Sequence, residues 1–170
     1  SKERAPFISV NAKPFSYKME SGYAVIEREW KQGDVVAWSF LLETRRIVAR
    51  SDVRMNQDRV ALQRGPLVYC LEGADNNGDV WNIVFQPTAP ISETQHQVLT
   101  ERVVALQTEV LSAKPAPDGK SILMEKRKVT AIPYYVWANR GANSMQVWLP
   151  TTIKEIKINY MTKYEDGGNY

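Results

Sequence analysis

Cys70 and His96 are the one cysteine and the one histidine of the chain, so they make up the sole thiol–imidazole pair available for nucleophilic chemistry. Neither lies in a motif that supports that role. Cys70 falls inside the apolar run Leu67-Val68-Tyr69-Cys70-Leu71, where a thiol reads as a small buried hydrophobe rather than an activated nucleophile. His96 falls in the polar stretch Ser92-Glu93-Thr94-Gln95-His96-Gln97, which reads as a loop. A single cysteine also excludes an intrachain disulfide and a multi-cysteine zinc site built from this chain alone.

Carboxylates are the next candidates. Glycoside hydrolysis needs a pair of them about 5–10 Å apart. Glu72 and Asp75 bracket the start of a loop that follows the apolar run, a position where functional carboxylates occur, although a structural or solvating role is the favoured reading for each. There is no glycine-rich phosphate loop, no His-Glu-x-x-His, no nucleophile elbow and no calcium-loop signature. No residue is therefore assigned a catalytic, cofactor-binding or metal-ligating role.

The five tryptophans and eight tyrosines allow a third chemistry, the stacking of sugar rings on exposed aromatics. Trp81, Trp137 and Trp148 are the candidate carbohydrate contacts. Trp148 is the best placed for exposure, because it points away from Met145, Val147 and Leu149 on an alternating strand. The competing reading, favoured for the set, is that such rings fill the interior of about 10 Å between packed sheets. Trp38 is expected in that core.

The elements that would position these residues read as strands. Phe7 to Val10 is followed by the turn-like Asn11-Ala12-Lys13-Pro14, then by strands over Phe15 to Glu20 and Tyr23 to Trp30. Lys31-Gln32-Gly33-Asp34 is a hairpin turn, since glycine accepts positive φ. Val36, Trp38, Phe40 and Leu42 then share one face at period two. Arg45 to Asp58 is more polar and reads as a connection or a domain boundary. Leu67 to Leu71 reads as a strand buried on both faces, and Trp81 to Phe85 as another. Glu101 to Ser112 fits helical and strand spacing alike, and its β-branched content favours strand. Ile122 to Glu125, Val129 to Trp137 (pushed to an edge or bulge by Pro133), Met145 to Leu149 and the alternating Ile156, Ile158 and Tyr160 complete the set.

The expected fold is all-β, an antiparallel jelly-roll-like sandwich with a partial second sheet at the N-terminus. Residues 1–50 form the partial sandwich region, 51–160 the main sandwich domain and 161–170 a frayed tail; one continuous sandwich over 7–160 is the alternative. At 170 residues, 44% hydrophobic and 24% charged, the chain can bury a real core. Its net charge of +3 is scattered, which does not predict nucleic-acid binding, and the run Lys126-Arg127-Lys128 reads as a solvated strand face. No stretch matches a membrane span of about 20 apolar residues. Ser1 to Pro6 has no apolar core of the signal-peptide kind, which leaves periplasm and cytoplasm both open.

Three collinear segments carry a family resemblance. Arg59-Val60-Ala61-Leu62-Gln63-Arg64-Gly65-Pro66-Leu67-Val68-Tyr69-Cys70-Leu71-Glu72 resembles a signature segment in the C-terminal half of glycoside hydrolase family 127, the β-L-arabinofuranosidase family. Gly22 to Trp30 with Gly33-Asp34, and Ile132-Pro133-Tyr134-Tyr135-Val136-Trp137-Ala138-Asn139-Arg140-Gly141, agree with it in the same order. The resemblance implies an (α/α)₆ helical barrel carrying the catalytic apparatus, with a zinc-bound cysteine nucleophile and a glutamate acid/base, followed by β-sandwich regions. It implies no catalytic or zinc role for Cys70, which lies in the sandwich segment, and no cofactor in this chain; zinc belongs to the barrel. The expected partner is that barrel in the same polypeptide, with homodimer contacts and plant-type glycans as further expectations. The function so implied is that of a non-catalytic accessory domain, and the residues alone also allow a carbohydrate-binding module.

Overall fold

The computed structural model describes residues 6–118 and 120–158. Among them there is no α-helix: strands and short 3₁₀ turns make up the regular structure, and all strand pairs are antiparallel. The all-β antiparallel expectation holds. The chain divides into two compact units, Ser1–Glu43 and Thr44–Tyr170.

In the first unit, β1 (Phe7–Val10) lies between β2 (Lys13–Pro14) and β5 (Val36–Ser39), while β3 (Lys18–Glu20) and β4 (Tyr23–Val25) form a separate hairpin. Asn11 and Ala12 connect β1 to β2 with φ of 50° and 62°, both left-handed as a tight hairpin turn demands. The Lys31–Asp34 turn forms, with Gly33 at φ 90° and the Asp34 amide donating to the Lys31 carbonyl at 3.0 Å, but it does not close the expected hairpin, because β4 pairs with β3 and β5 with β1. Hydrogen bonds from Asn11 and the Lys31 amide, together with Arg28, hold the Asp34 carboxyl below the usual range.

The register sets Ile8 opposite Trp38 and Val10 opposite Val36, so these four side chains share a face. Trp38 is nevertheless 65% exposed, which corrects its expected place in the core. Period two correctly gives the face; it says nothing about whether another layer covers it. The strands are also shorter than expected: Phe15–Tyr17, Ile26–Trp30 and Phe40–Leu42 are not in strands.

The second unit is built on one nine-stranded sheet. Its main path runs from β10 (Ile91–Val98) through β11 (Glu101–Pro115), β12 (Ile122–Pro133), β8 (Leu67–Glu72) and β7 (Arg59–Arg64) to β14 (Leu149–Pro150). Alongside it, β6 (Thr44–Val48) pairs with β7, β9 (Ile83–Phe85) with β11, and β13 (Met145–Gln146) with β8. The sheet curls until β14 lies against β9. Inside the curl Leu62, Tyr69, Leu71, Ile83, Phe85, Leu106, Val110, Ala131 and Leu149 form the main core. On the other face of β8 and β12, Cys70 and Ile132 pack with Val98, Val103 and Val136. The Leu67–Leu71 run is thus buried on both faces from Tyr69 onward, as its continuous apolarity predicts.

Four expectations fail, the first two on polar edge strands. Thr44–Val48 is a strand although it opens the polar stretch read as a connection, and Ile91–Val98 is a strand although it holds the polar stretch read as a loop. Each pairs with one neighbour only, so its backbone is satisfied without an apolar signature in its side chains. Met145 to Leu149 does not run as one strand: it breaks at Val147–Trp148, where the chain changes partner from β8 to β7. Met145 and Val147 therefore pack on the Cys70 side and Leu149 in the main core. Ile156 and Ile158 follow a 3₁₀ turn at Ile153–Glu155 and are not in a strand; Tyr160 and the 161–170 tail lie outside the described residues. In the basic run Lys126 and Lys128 face solvent, while Arg127 turns inward and Nη2 donates to the Asp79 carbonyl at 2.8 Å.

Candidate functional site

The richest constellation of ionisable groups sits where β8 ends. Glu72 is the last residue of the strand and fully buried, and the chain turns directly into a 3₁₀ turn at Gly73–Asp75. That turn is tight because Gly73 has no side chain. A Cβ there would sit 2.8 Å from the Gly78 carbonyl oxygen and 2.8 Å from Ser144 Oγ. The turn brings Asp75 alongside Glu72, and the loop after the 3₁₀ turn Tyr134–Val136 delivers Arg140 to both.

Arg140 Nη1 donates to Asp75 Oδ1 at 2.7 Å and Nη2 to Asp75 Oδ2 at 2.5 Å, and Nη2 also pairs with Glu72 Oε2. Glu72 Oε1 accepts from Asn143 Nδ2 at 3.0 Å and from the Ala138 amide at 3.3 Å. His96 Nε2, from β10, lies 2.8 Å from Asp75 Oδ1. Beneath this, Asn76 donates to the Glu72 and Thr130 carbonyls at 2.8 and 2.9 Å and accepts from the Thr130 amide, tying the turn to β12. Burial alone would push the Asp75 carboxyl up; the hydrogen bonds from Arg140 and His96 outweigh it and leave it below the usual range. The same carboxylates, chiefly through Asp75, keep Arg140 firmly charged.

Chemically this is a closed clamp. Both carboxylates are turned onto one guanidinium, and neither Glu72 nor Asp75 lines the groove of about 410 Å³ between Asn77, Asp79, Asn82 and Lys114. Cys70, one strand position before Leu71, is equally closed off: burial first, then the charges of Glu72 and Asp75, push its thiol up to about 12. Among the described residues no three His, Cys, Asp or Glu side chains are grouped to hold a metal ion. His96 belongs to the carboxylate cluster through Asp75, on a strand rather than a loop.

The three tryptophans do not come together. Trp81 is half-buried under Lys157, whose Nζ is 5.7 Å from the ring centroid. Trp137 packs on the Cys70 side of the sheet and tilts against Tyr134 at 5.7 Å. Trp148 is half-buried at the break before β14, its carbonyl accepting from Arg59 Nη1 at 3.3 Å. Among the described residues no two of these rings are in contact, and the most exposed tryptophans are Trp38 and Trp30.

Sequence reasoning singled out Glu72 and Asp75 but missed Arg140, Asn143 and His96 as their partners. A buried acidic pair needs a cation, and Arg140 stands in one of the three resemblance segments; nothing in the sequence fixes the 65-residue reach between Asp75 and Arg140.

Comparison with known proteins agrees along most of the chain. It is 28% identical over 152 residues to a non-reducing end β-L-arabinofuranosidase of Bifidobacterium longum, a match over 83% of this chain and 23% of that protein. A solved family 127 β-arabinofuranosidase superposes with a TM-score of 0.76 at 33% identity, over 91% of this chain and 24% of the other. A family 127 β-L-arabinofuranosidase from Geobacillus stearothermophilus gives 0.69 at 33% identity, over 87% and 25%. The chain thus spans about a quarter of the length of these relatives. Residues 44–150, from β6 through β14, match the glycoside hydrolase family 127 C-terminal domain, and the chain belongs to that family.

Proposed function

We propose that this chain is a non-catalytic accessory domain of a longer glycoside hydrolase similar to β-L-arabinofuranosidases, seated on a helical-barrel catalytic domain of the same polypeptide. The observation that carries this reading is that the chain corresponds to about a quarter of enzymes so named, over the part that includes their C-terminal domain. The clamp supports it from the other side. Glu72 and Asp75, the best carboxylate pair for acid/base work, are held on Arg140 instead of facing a cleft. On this reading zinc and its cysteine ligands belong to the remainder of the polypeptide.

The test is an assay with a chromogenic β-L-arabinofuranoside on this chain and on the longer polypeptide from the same reading frame. Turnover by the longer protein and none by this chain is the expected result. Turnover by the purified chain would overturn the reading. Saturable binding of plant arabinan by this chain, abolished in Trp148→Ala, would favour a carbohydrate-binding role instead.

A further inference from the structure

The first unit carries an apolar face that it covers only in part: Ile8 and Val10 are buried, while Val36 and Trp38 on the same side stay exposed. Ile8, Val36 and Trp38 share one side of the β1–β5 pair, and with Ala24, Ile26 and Phe40 they line a groove of about 270 Å³. Trp38 and Phe40 meet edge to face, with centroids 4.8 Å apart and planes at 72°, yet both stay largely exposed, as does Leu41. A solvated strand face carries polar residues at alternate positions; this one carries Val36 and Trp38. The unit is also small. At 43 residues it is near the size below which a chain cannot stabilise a core unaided, and it holds no cysteine for a disulfide.

The unit has a counterpart in longer relatives. The match to the C-terminal domain begins at Thr44, so this unit lies outside it. Residues 44–170 are three quarters of the chain, and a superposition over 91% of it therefore extends into the unit. The unit thus has a counterpart in solved proteins about four times the length of this chain. We infer that the Val36–Trp38–Phe40 face is a docking surface for another layer of the same polypeptide, contributed from the N-terminal side of its C-terminal domain, which packs on the groove and buries Trp38. This rests on the reading that the chain is part of a longer family 127 protein.

Hydroxyl-radical footprinting read by mass spectrometry tests it, on this chain alone and on the longer polypeptide, with exposed Met55 of the second unit as the internal reference. In the chain alone Trp38 and Phe40 are oxidised readily; in the longer polypeptide their oxidation slows several-fold relative to Met55. Equal relative rates in the two samples would overturn the inference. So would protection of Trp38 in this chain alone that grows with concentration and is lost in Trp38→Glu, because it assigns the face to a second copy. The arabinofuranosidase assay on the same longer polypeptide is independent: activity with Trp38 unprotected leaves the accessory reading standing and removes the docking surface, and protection without activity does the reverse.

Discussion

Arg140 meets Asp75 fork to fork, Nη1 on Oδ1 at 2.7 Å and Nη2 on Oδ2 at 2.5 Å, across 65 residues of sequence. A bidentate pair of this kind fixes direction as well as charge, so it sets the position of the 138–144 loop against the end of β8. The fully buried Glu72 shares the same guanidinium and has no solvent to fall back on.

Arg140→Met is therefore expected to destabilise the second unit by about 3–5 kcal/mol, because it removes the guanidinium that both buried carboxylates share and leaves Glu72 with neutral donors and Asp75 with His96 alone. Chemical denaturation followed by near-UV circular dichroism measures it. Arg140→Lys should recover only part of the loss, since an ammonium cannot engage both Asp75 oxygens in plane. A loss below about 1 kcal/mol for Arg140→Met, the range of an exposed ion pair, would show that the clamp is not what holds the loop.

The same clamp gives a pH dependence. Burial raises the Asp75 carboxyl, but Arg140 and His96 lower it by more, so its folded pKa lies below the unfolded value of about 3.9. A depressed carboxyl contributes stability that is present above the unfolded pKa and is lost as pH falls through the folded one. Asp75→Asn should thus be less stable than the parent chain at neutral pH, and the gap should close as acid protonates Asp75 in the parent. Unfolding free energies measured from neutral to strongly acidic pH decide it, and a gap that stays constant would count against an ionised Asp75.

How much of this was legible in the sequence divides along burial. The apolar run Leu67–Leu71 declared a two-faced strand, and Cys70 on one face with Tyr69 and Leu71 on the other is the result. The strand reading of Glu101–Ser112 also held, because its β-branched Val103, Val104, Thr108 and Val110 suit a pleated surface. β6 and β10 were illegible for the opposite reason: their pairing is made by the backbone, and polar side chains at a sheet edge look like loop. Trp38 shows a third limit. Its side of the strand is encoded locally, whereas its cover depends on residues elsewhere in the polypeptide. The clamp was half legible: the loop after a buried strand drew notice to Glu72 and Asp75, but only the register of β8, β10 and β12 brings His96 and Arg140 to them.

Cys70 should be inert in the folded chain. Its thiol, pushed up to about 12 by burial and by the charges of Glu72 and Asp75, carries almost no thiolate at neutral pH. Alkylation by iodoacetamide is expected to be slow in the native state and to reach the rate of a free thiol only on unfolding. Rapid native labelling would mean that the Val98–Val103 side of the sheet opens far more readily than its packing allows.

Two aromatic truncations should separate the covered layer from the uncovered one. Phe85→Ala empties a fully buried site on β9 and should cost about 3–5 kcal/mol. Trp38→Ala removes a ring that is mostly in solvent and should cost less than about 1 kcal/mol in this chain. Thermal and denaturant unfolding of the two variants side by side checks the pair, and a Trp38 loss equal to that of Phe85 would place Trp38 in a packed interior after all.

Gly73→Ala tests the turn on which the clamp depends. The added methyl would stand 2.8 Å from both the Gly78 carbonyl oxygen and Ser144 Oγ, closer than Cβ atoms are found, so something must move. Overpacking of this kind is expected to cost about 1–3 kcal/mol. The two obstacles can be told apart, because only one of them is a side chain. Removing the hydroxyl in a Gly73→Ala/Ser144→Ala double variant relieves the contact with Ser144 and leaves the backbone carbonyl of Gly78 in place, so it should restore only part of the lost stability. Ser144 Oγ also donates to the Gly78 carbonyl at 3.0 Å, which makes Ser144→Ala alone the necessary reference for the cycle. Full restoration would mean that the Gly78 carbonyl can swing aside, and that the Gly73–Asp75 turn is less rigid than its position between Glu72 and Asp75 requires.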